Sequence, residues 1–374
     1  HRFGVAVHVA LNTLLRDDEL PQAQRLITAL GECGADALIV QDPAVWLMEI
    51  PPGLELHAST QCALNTVARV RFYAALGAAQ VVLPREFTFK EIAACHKACP
   101  HLKLEAFVAG ALCVAQSGEC FLSEQWFRRS ANRGCCAQPC RLPFTLNKDG
   151  RELARGHLLS CRDNYAGAML EELCASGVTC FKIEGRLKDA AYTLNLTAAL
   201  SARLNELCAG SGGRFVRSSK GSTRLNFTPD PRRTFNRGFT TGLLDGSRAH
   251  LTEERVPGSL GQKAGWIVAW HREGALWCLT LSLEEGVSLC AGDGFICPAR
   301  GGGLRAERAR GNELWSRELP ADLRVGDELW RNHDHAFLKA LAGPEAAVRE
   351  LRLKAVLGYH AASSEKPAYL EFTL

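Results

Sequence analysis

Five of the sixteen cysteines fall between Cys113 and Cys140, where even spreading over the chain would put roughly one. Thiolates at Cys113, Cys120, Cys136 and Cys140 are separated by six, fifteen and three residues. That spacing lets the chain wrap a compact iron–sulfur cluster rather than close a zinc knuckle. Zinc, or a chance grouping of core thiols, is the alternative. The doublet Cys135–Cys136 leaves the third ligand open, and Cys161 in LLSCRDN offers another fourth. Arg133 and Arg141 flank the thiols, and their forked donors suit a dicarboxylate or an RNA phosphate; offsetting cluster charge would use them equally well.

The elements that must position these groups follow a regular βα rhythm. VAVHVALN, ALIVQ, LELHAS, QVVLP and KLEAFV read as strands, with helices over DDELPQAQRLITALGECG, ALNTVARVRFYAALGA and FKEIAACHKACP. After the cysteine segment come a helix near 166–176, the strand VTCFKIEG and a helix over 190–208. Six strands are two short of a closed (β/α) barrel. The opening on His1 rather than Met suggests a fragment whose missing units supplied the rest.

A (β/α) barrel gathers its chemistry on the loops after its strands. Glu105, Lys182 and Glu184 stand near predicted strand ends as candidate proton-transfer groups, with Arg186 as a substrate contact. A structural ion-pair network would look the same. Asn12, His57 and Gln61 occupy analogous places and are equally readable as satisfied polar groups at a core rim.

The predicted organisation is therefore α/β. It comprises a partial TIM-like barrel over 1–210 carrying the cysteine segment 104–141, a connecting arm over 211–255, a small antiparallel β-barrel over 256–342, and the start of a further β domain over 343–374. In the arm, the FNRGF element with Asn236 and Arg237 interleaves aromatic and basic groups, as in loops that hold unstacked bases and phosphates. A packed loop is the alternative.

The net charge of +4 is far below that of a dedicated nucleic-acid-binding domain. No apolar run approaches twenty residues, and the start lacks the features of a secretory signal, so no membrane span and a cytoplasmic location are the expectations. Sixteen cysteines without a regular framework suit a reducing compartment. Isolated ones such as Cys33, Cys62, Cys208 and Cys290 read as small buried hydrophobes.

EAFVAGALCVAQSGECFLS, then NRGCCAQPCR, then FKIEGRLK occur in one order between Leu104 and Lys188. Together they resemble the signature of the collagenase-like peptidase superfamily, peptidase family U32. The resemblance implies an oxygen-independent hydroxylase with a 4Fe-4S cluster and prephenate as oxygen donor. It also prefers Cys136 over Cys135, with three residues between it and the cysteine of PCR. The arm FTPDPRRTFNRGFTTGLLDG and the tail KPAYLEFTL resemble the larger branch, which hydroxylates cytidine of 23S rRNA. The shorter branch, acting on tRNA wobble uridine, is the second reading. The older peptidase description is the third, although neither HExxH nor GxSxG is present.

Overall fold

The computed structural model describes residues 4–351, 354–359 and 368–373. All six expected strands form. They are β1 (His8–Leu11), β2 (Ala37–Val40), β3 (Glu55–Ala58), β4 (Gln80–Val82), β5 (Lys103–Ala111) and, after the cysteine segment and three further strands, β9 (Val178–Ile183). Each pairs in parallel with the next. Parallel neighbours need crossover connections, and helices α1 (Leu20–Glu32), α2 (Val67–Ala75) and α3 (Phe89–Ala98) supply three of them. The sequence marks their starts: Thr88 and Glu91 form a capping box on α3, with the Glu91 carboxylate accepting from Thr88 N–H at 2.8 Å.

Alternation along β5 sorts its side chains onto two faces. Leu104, Ala106 and Val108 enter the core shared with α2, α3, α5 (Leu170–Ala175) and α6 (Ala190–Gly210). Glu105 and Phe107 face the other way, toward Lys182 of β9. That inner face is unusually polar for a parallel sheet, and the candidate site is built on it.

Among the described residues β1 and β9 do not pair, so the sheet is open on that side. It also departs from a pure βα pattern. After α4 (Leu122–Phe127), β6 (Phe144–Lys148) and β7 (Arg151–Gly156) form a separate hairpin. Next, β8 (Asp163–Tyr165) runs antiparallel to the end of β5. The arm is more than a connection: it holds β10 (Ser222–Leu225) and β11 (Phe239–Thr240), and β11 extends the main sheet through β8.

The expected small barrel is a seven-stranded antiparallel sheet around one core. Its strands are β12 (Gln262–Glu273), β13 (Leu276–Leu283), β14 (Gly294–Cys297), β15 (Gly302–Arg305), β16 (Arg308–Arg310), β17 (Glu313–Ser316) and β18 (Glu328–His333). Strand β12 pairs with β18 along its first half and β13 along most of its length, with a bulge between Ile267 and Ala269. Such a bulge bends the strand and lets the sheet curl. Edge strands β15 and β16 do not pair with each other among the described residues.

After α7 (His335–Leu341), β19 (Ala347–Glu350) returns to pair with β10 of the arm. Strands β20 (Lys354–Tyr359) and β21 (Ala368–Thr373) pair antiparallel. No helix among the described residues is long and apolar enough to cross a membrane. One expectation fails here: Cys33 is exposed, and Cys62, Cys208 and Cys290 are only half-buried. Cys33 is the C-cap of α1, at a helix end rather than on its apolar stripe.

Candidate active site

A cleft of about 480 Å³ opens where the parallel strands end, as the loop rule for this architecture anticipates. Asn12 follows β1, Ser59–Gln61 follow β3, Arg85 follows β4, and Lys182, Glu184 and Arg186 come from β9 and its extension; all line it. Gly134 of the cysteine segment lines it too, so the thiol-bearing loop forms part of the wall.

Two ion pairs organise the cleft. Lys182 Nζ lies 2.7 Å from Glu105 Oε1, and Gln80 Nε2 donates to the other carboxylate oxygen. Glu105 is only 4% exposed, so its charge depends on these two donors. Nearer the opening, Arg85 Nη2 meets Glu184 Oε2 at 3.2 Å, and the Arg85 guanidinium lies 3.7 Å from the Phe107 ring centroid. Arg186 Nη2 donates to Gly134 O at 2.9 Å. Arg85, Lys182 and Arg186 therefore bring three cations to a wall that carries one carboxylate, Glu184, with Glu105 beneath it. Cys180, two residues before Lys182, has its thiol pushed up to about 11 by burial, with Glu105 adding like charge. Arg85 and Phe107 were missed in the sequence; Arg85 follows QVVLP, the same strand-end position that singled out the others.

The cysteine segment is tied down beside this cleft. The thiols of Cys113 and Cys140 are pushed up first by burial and then by like charge, from Cys120 and Cys136 in both cases and from each other in that of Cys140. Arg85 opposes this at Cys113, and Arg141 at Cys140. The Gln138 amide donates to Cys136 Sγ at 3.3 Å, and an amide at Ala115 stabilises the Cys113 thiolate similarly. Amide donors to sulfur are one way a protein tunes a cluster. Cys135 is exposed, whereas Cys136 has the amide donor, which distinguishes the two members of the doublet. Among the described residues no three of these sulfurs lie within 4.8 Å of one another. A single tetrahedral zinc at about 2.3 Å from each sulfur would hold its thiolates about 3.8 Å apart. Four cysteine sulfurs on one loop are the donor type that an iron–sulfur cluster or a zinc ion takes.

The remaining candidate residues have definite places. Arg141 donates to Ser160 Oγ at 2.9 Å, to Leu112 O at 3.3 Å and to Cys161 O. It thus clamps both ends of the thiol loop. Arg133 forms a two-pronged pair with Glu19, at 2.6 and 3.0 Å, and ties that loop to the segment after β1. Cys161 is buried, with its thiol pushed up to about 11.

Asn236 is 1% exposed, and its side-chain amide bonds Arg232 O, Thr234 O and Gly238 N. Arg237 pairs with Asp163 at 3.0 Å, while Lys188 Nζ lies 3.0 Å from the Phe235 ring centroid. The polar groups of Asn236 and Arg237 are thus partnered within the protein, while Asn236, Gly238 and Phe239 also line a cleft of about 460 Å³ with Arg162, Arg232, Arg255 and Lys263. His57 is buried at the next-to-last position of β3, bonded to Glu55 at 3.1 Å and edge-on to His8, and is not among the residues lining the cleft at the strand ends.

The pattern of peptidase family U32 matches residues 1–254, from the first strand through the arm. The chain belongs to peptidase family U32. It is 41% identical over 353 residues to the Escherichia coli K12 protein described as 23S rRNA 5-hydroxycytidine C2501 synthase, covering 91% of this chain and 53% of that one. It is 30% identical over 259 residues to a Porphyromonas gingivalis protein described as collagenase, covering 66% and 61%. A Helicobacter pylori tRNA hydroxylation protein P is 28% identical over 258 residues, covering 65% and 59%. The chain thus spans between about half and two thirds of the length of these relatives. The match to family U32 ends before β12, so the second β-sheet lies outside it.

Proposed function

We propose that this protein is an RNA hydroxylase that forms 5-hydroxycytidine in 23S rRNA, in the cytoplasm, with a 4Fe-4S cluster on Cys113, Cys120, Cys136 and Cys140 and prephenate as oxygen donor. One observation carries the reading: the loop bearing those thiols also supplies Gly134 to the wall of the cationic cleft. The 41% identity to a protein described as a 23S rRNA 5-hydroxycytidine synthase supports the choice of base and RNA. Replacing a C–H by a C–OH is a two-electron oxidation of the pyrimidine, and the cluster when bound supplies the one-electron chemistry that carbon and nitrogen side chains lack.

The chain's own residues bind, orient and exclude. Arg85, Lys182 and Arg186 suit a small dicarboxylate such as prephenate, since guanidinium forks match carboxylates in two-pronged geometry. Glu105 holds the Lys182 ammonium in place from below, and Glu184 does the same for Arg85. In this scheme Lys182 and Glu184 are the groups placed to move a proton at the bound ligands, and Glu105 acts through Lys182. Arg141 keeps the thiol loop closed rather than touching substrate.

A second reading, hydroxylation of tRNA uridine, rests on relatives such as the tRNA hydroxylation protein of H. pylori. Nucleoside mass spectrometry of rRNA and tRNA from a strain lacking the protein separates the two. Loss of 5-hydroxycytidine from rRNA is the expected result; loss of 5-hydroxyuridine from tRNA would favour the second. Unchanged levels of both would overturn the hydroxylase reading.

A further inference from the structure

Positive charge is locally concentrated in two stretches of the chain. Residues 121–155 contain seven Lys and Arg against three Asp and Glu, a balance of +4 equal to that of all 374 residues. The other stretch is residues 211–250, with eight Lys and Arg against two Asp and Glu.

The segment 121–155 folds into α4, the thiol loop and the hairpin β6–β7. It also carries exposed aromatic surface: Phe121, Trp126 and Phe127 are 64%, 51% and 46% exposed. Trp126 packs at 5.9 Å against Phe144, the first residue of β6, and so joins the helix to the hairpin. From there the hairpin extends for five residues, about 15 Å at the usual strand rise. At its tip Lys148 stands directly opposite Arg151, and like charges in that position repel. Arg128, Lys148, Arg151 and Arg155 make no ion pair among the described residues, and all four are exposed. Solitary apolar residues on a surface need no explanation, but aromatic rings grouped with unpaired cations suit a polyanion with flat apolar faces.

The face is fixed to the candidate active site. Ser123 of α4 accepts from Ala137 N at 2.8 Å, and Arg129 Nε donates to Cys135 O at 3.0 Å. Cys135 adjoins Gly134, which lines the cleft and is held by Arg186. A strand lying on this face would be led toward the cleft mouth.

We propose that α4 and the hairpin β6–β7 form a docking face for single-stranded RNA, whose unstacked bases lie on Phe121, Trp126 and Phe127 and whose phosphates meet the hairpin cations. The inference rests on the RNA-hydroxylase reading for its substrate class and names the surface that receives it. It places the RNA grip on a face where exposed aromatic rings stand beside unpaired cations, rather than on FNRGF, whose Asn236 and Arg237 are partnered within the protein.

The test uses the full chain and a fluorescein-labelled, mixed-sequence single-stranded RNA of twelve nucleotides, read by anisotropy across a salt series. Each lost stacking contact is worth about 5- to 150-fold in affinity, so W126A and F127A should each raise Kd within that range. F121A provides a second aromatic position. K148S/R151S should lower the salt slope by about 1.4, for two single-strand phosphate contacts. Wild-type circular dichroism and iron content would show that each variant folds. Variants that bind RNA as wild type does would overturn the docking face, even if hydroxylation of cellular RNA still depended on the protein. Variants that lose RNA binding would uphold it, even if no hydroxylated base depended on the protein, in which case only the hydroxylase reading falls. If wild type self-associates and W126A abolishes that while RNA binding is kept, the face belongs to a second copy and the proposal fails.

Discussion

Lys182 Nζ and Glu105 Oε1 lie 2.7 Å apart across adjacent strands, the lysine at the floor of the cleft and the carboxylate buried beneath it. Parallel pairing of β5 with β9 brings the two onto one face. A buried carboxylate that loses its cation retains the desolvation cost without the attraction. K182M should therefore destabilise the fold by about 3 kcal/mol, measured by urea denaturation. The double variant K182M/E105Q should recover much of that loss. If the double variant is no more stable than K182M, the pair is not what holds this charge.

Cysteine replacement should separate the doublet. C136A removes the sulfur that accepts the Gln138 amide and should cost most of the bound iron and sulfide after anaerobic purification. C135A, altering an exposed thiol, should keep them. C113A, C120A and C140A should behave like C136A. Retention of full iron by C136A, with loss in C135A or C161A, would reassign the ligand set.

Gly118 sits between Cys113 and Cys120 at φ +80°, and a Cβ there would strike the Gln61 carbonyl. Both the backbone conformation and the space exclude a side chain. G118A should displace the thiol loop from the end of β3 and lower iron content. The core of the parallel sheet lies elsewhere and should hold. Circular dichroism and iron analysis on the same preparation check this, and unaltered iron would refute it.

Acid sensitivity of the second sheet should trace in part to Asp327. Two bonds from the Arg300 guanidinium, at 2.8 and 3.0 Å, hold its carboxyl below the usual range. The folded state then binds fewer protons than the unfolded one, so this contribution is complete above the ordinary aspartate pKa. It is lost as pH falls through the lower, folded value. D327N should reduce Tm at pH 7, and the gap from wild type should narrow toward pH 3. A gap independent of pH would show that the carboxylate charge is not its source.

The sequence by itself determined the six parallel strands and the thiol segment, because both are local signals: apolar runs at strand length and cysteines crowded on one stretch. Strand-end position was also enough to mark Lys182, Glu184 and Arg186 as cleft residues, since the architecture fixes where strand ends go. A further local signal went unread. Asp149–Gly150 are both at positive φ, as a two-residue hairpin turn requires, and they announce β6–β7.

Tertiary structure alone decided the rest. Whether Asn236 and Arg237 face a ligand or the interior depends on Asp163, 74 residues from Arg237, and on the packing of Phe235 between Lys188 and Arg237. Arg85 meets Glu184, and Arg133 meets Glu19, across 99 and 114 residues. A side chain's residue type states what it can bond; which partner it finds is set by strand register and loop closure, and these are properties of the whole packed chain.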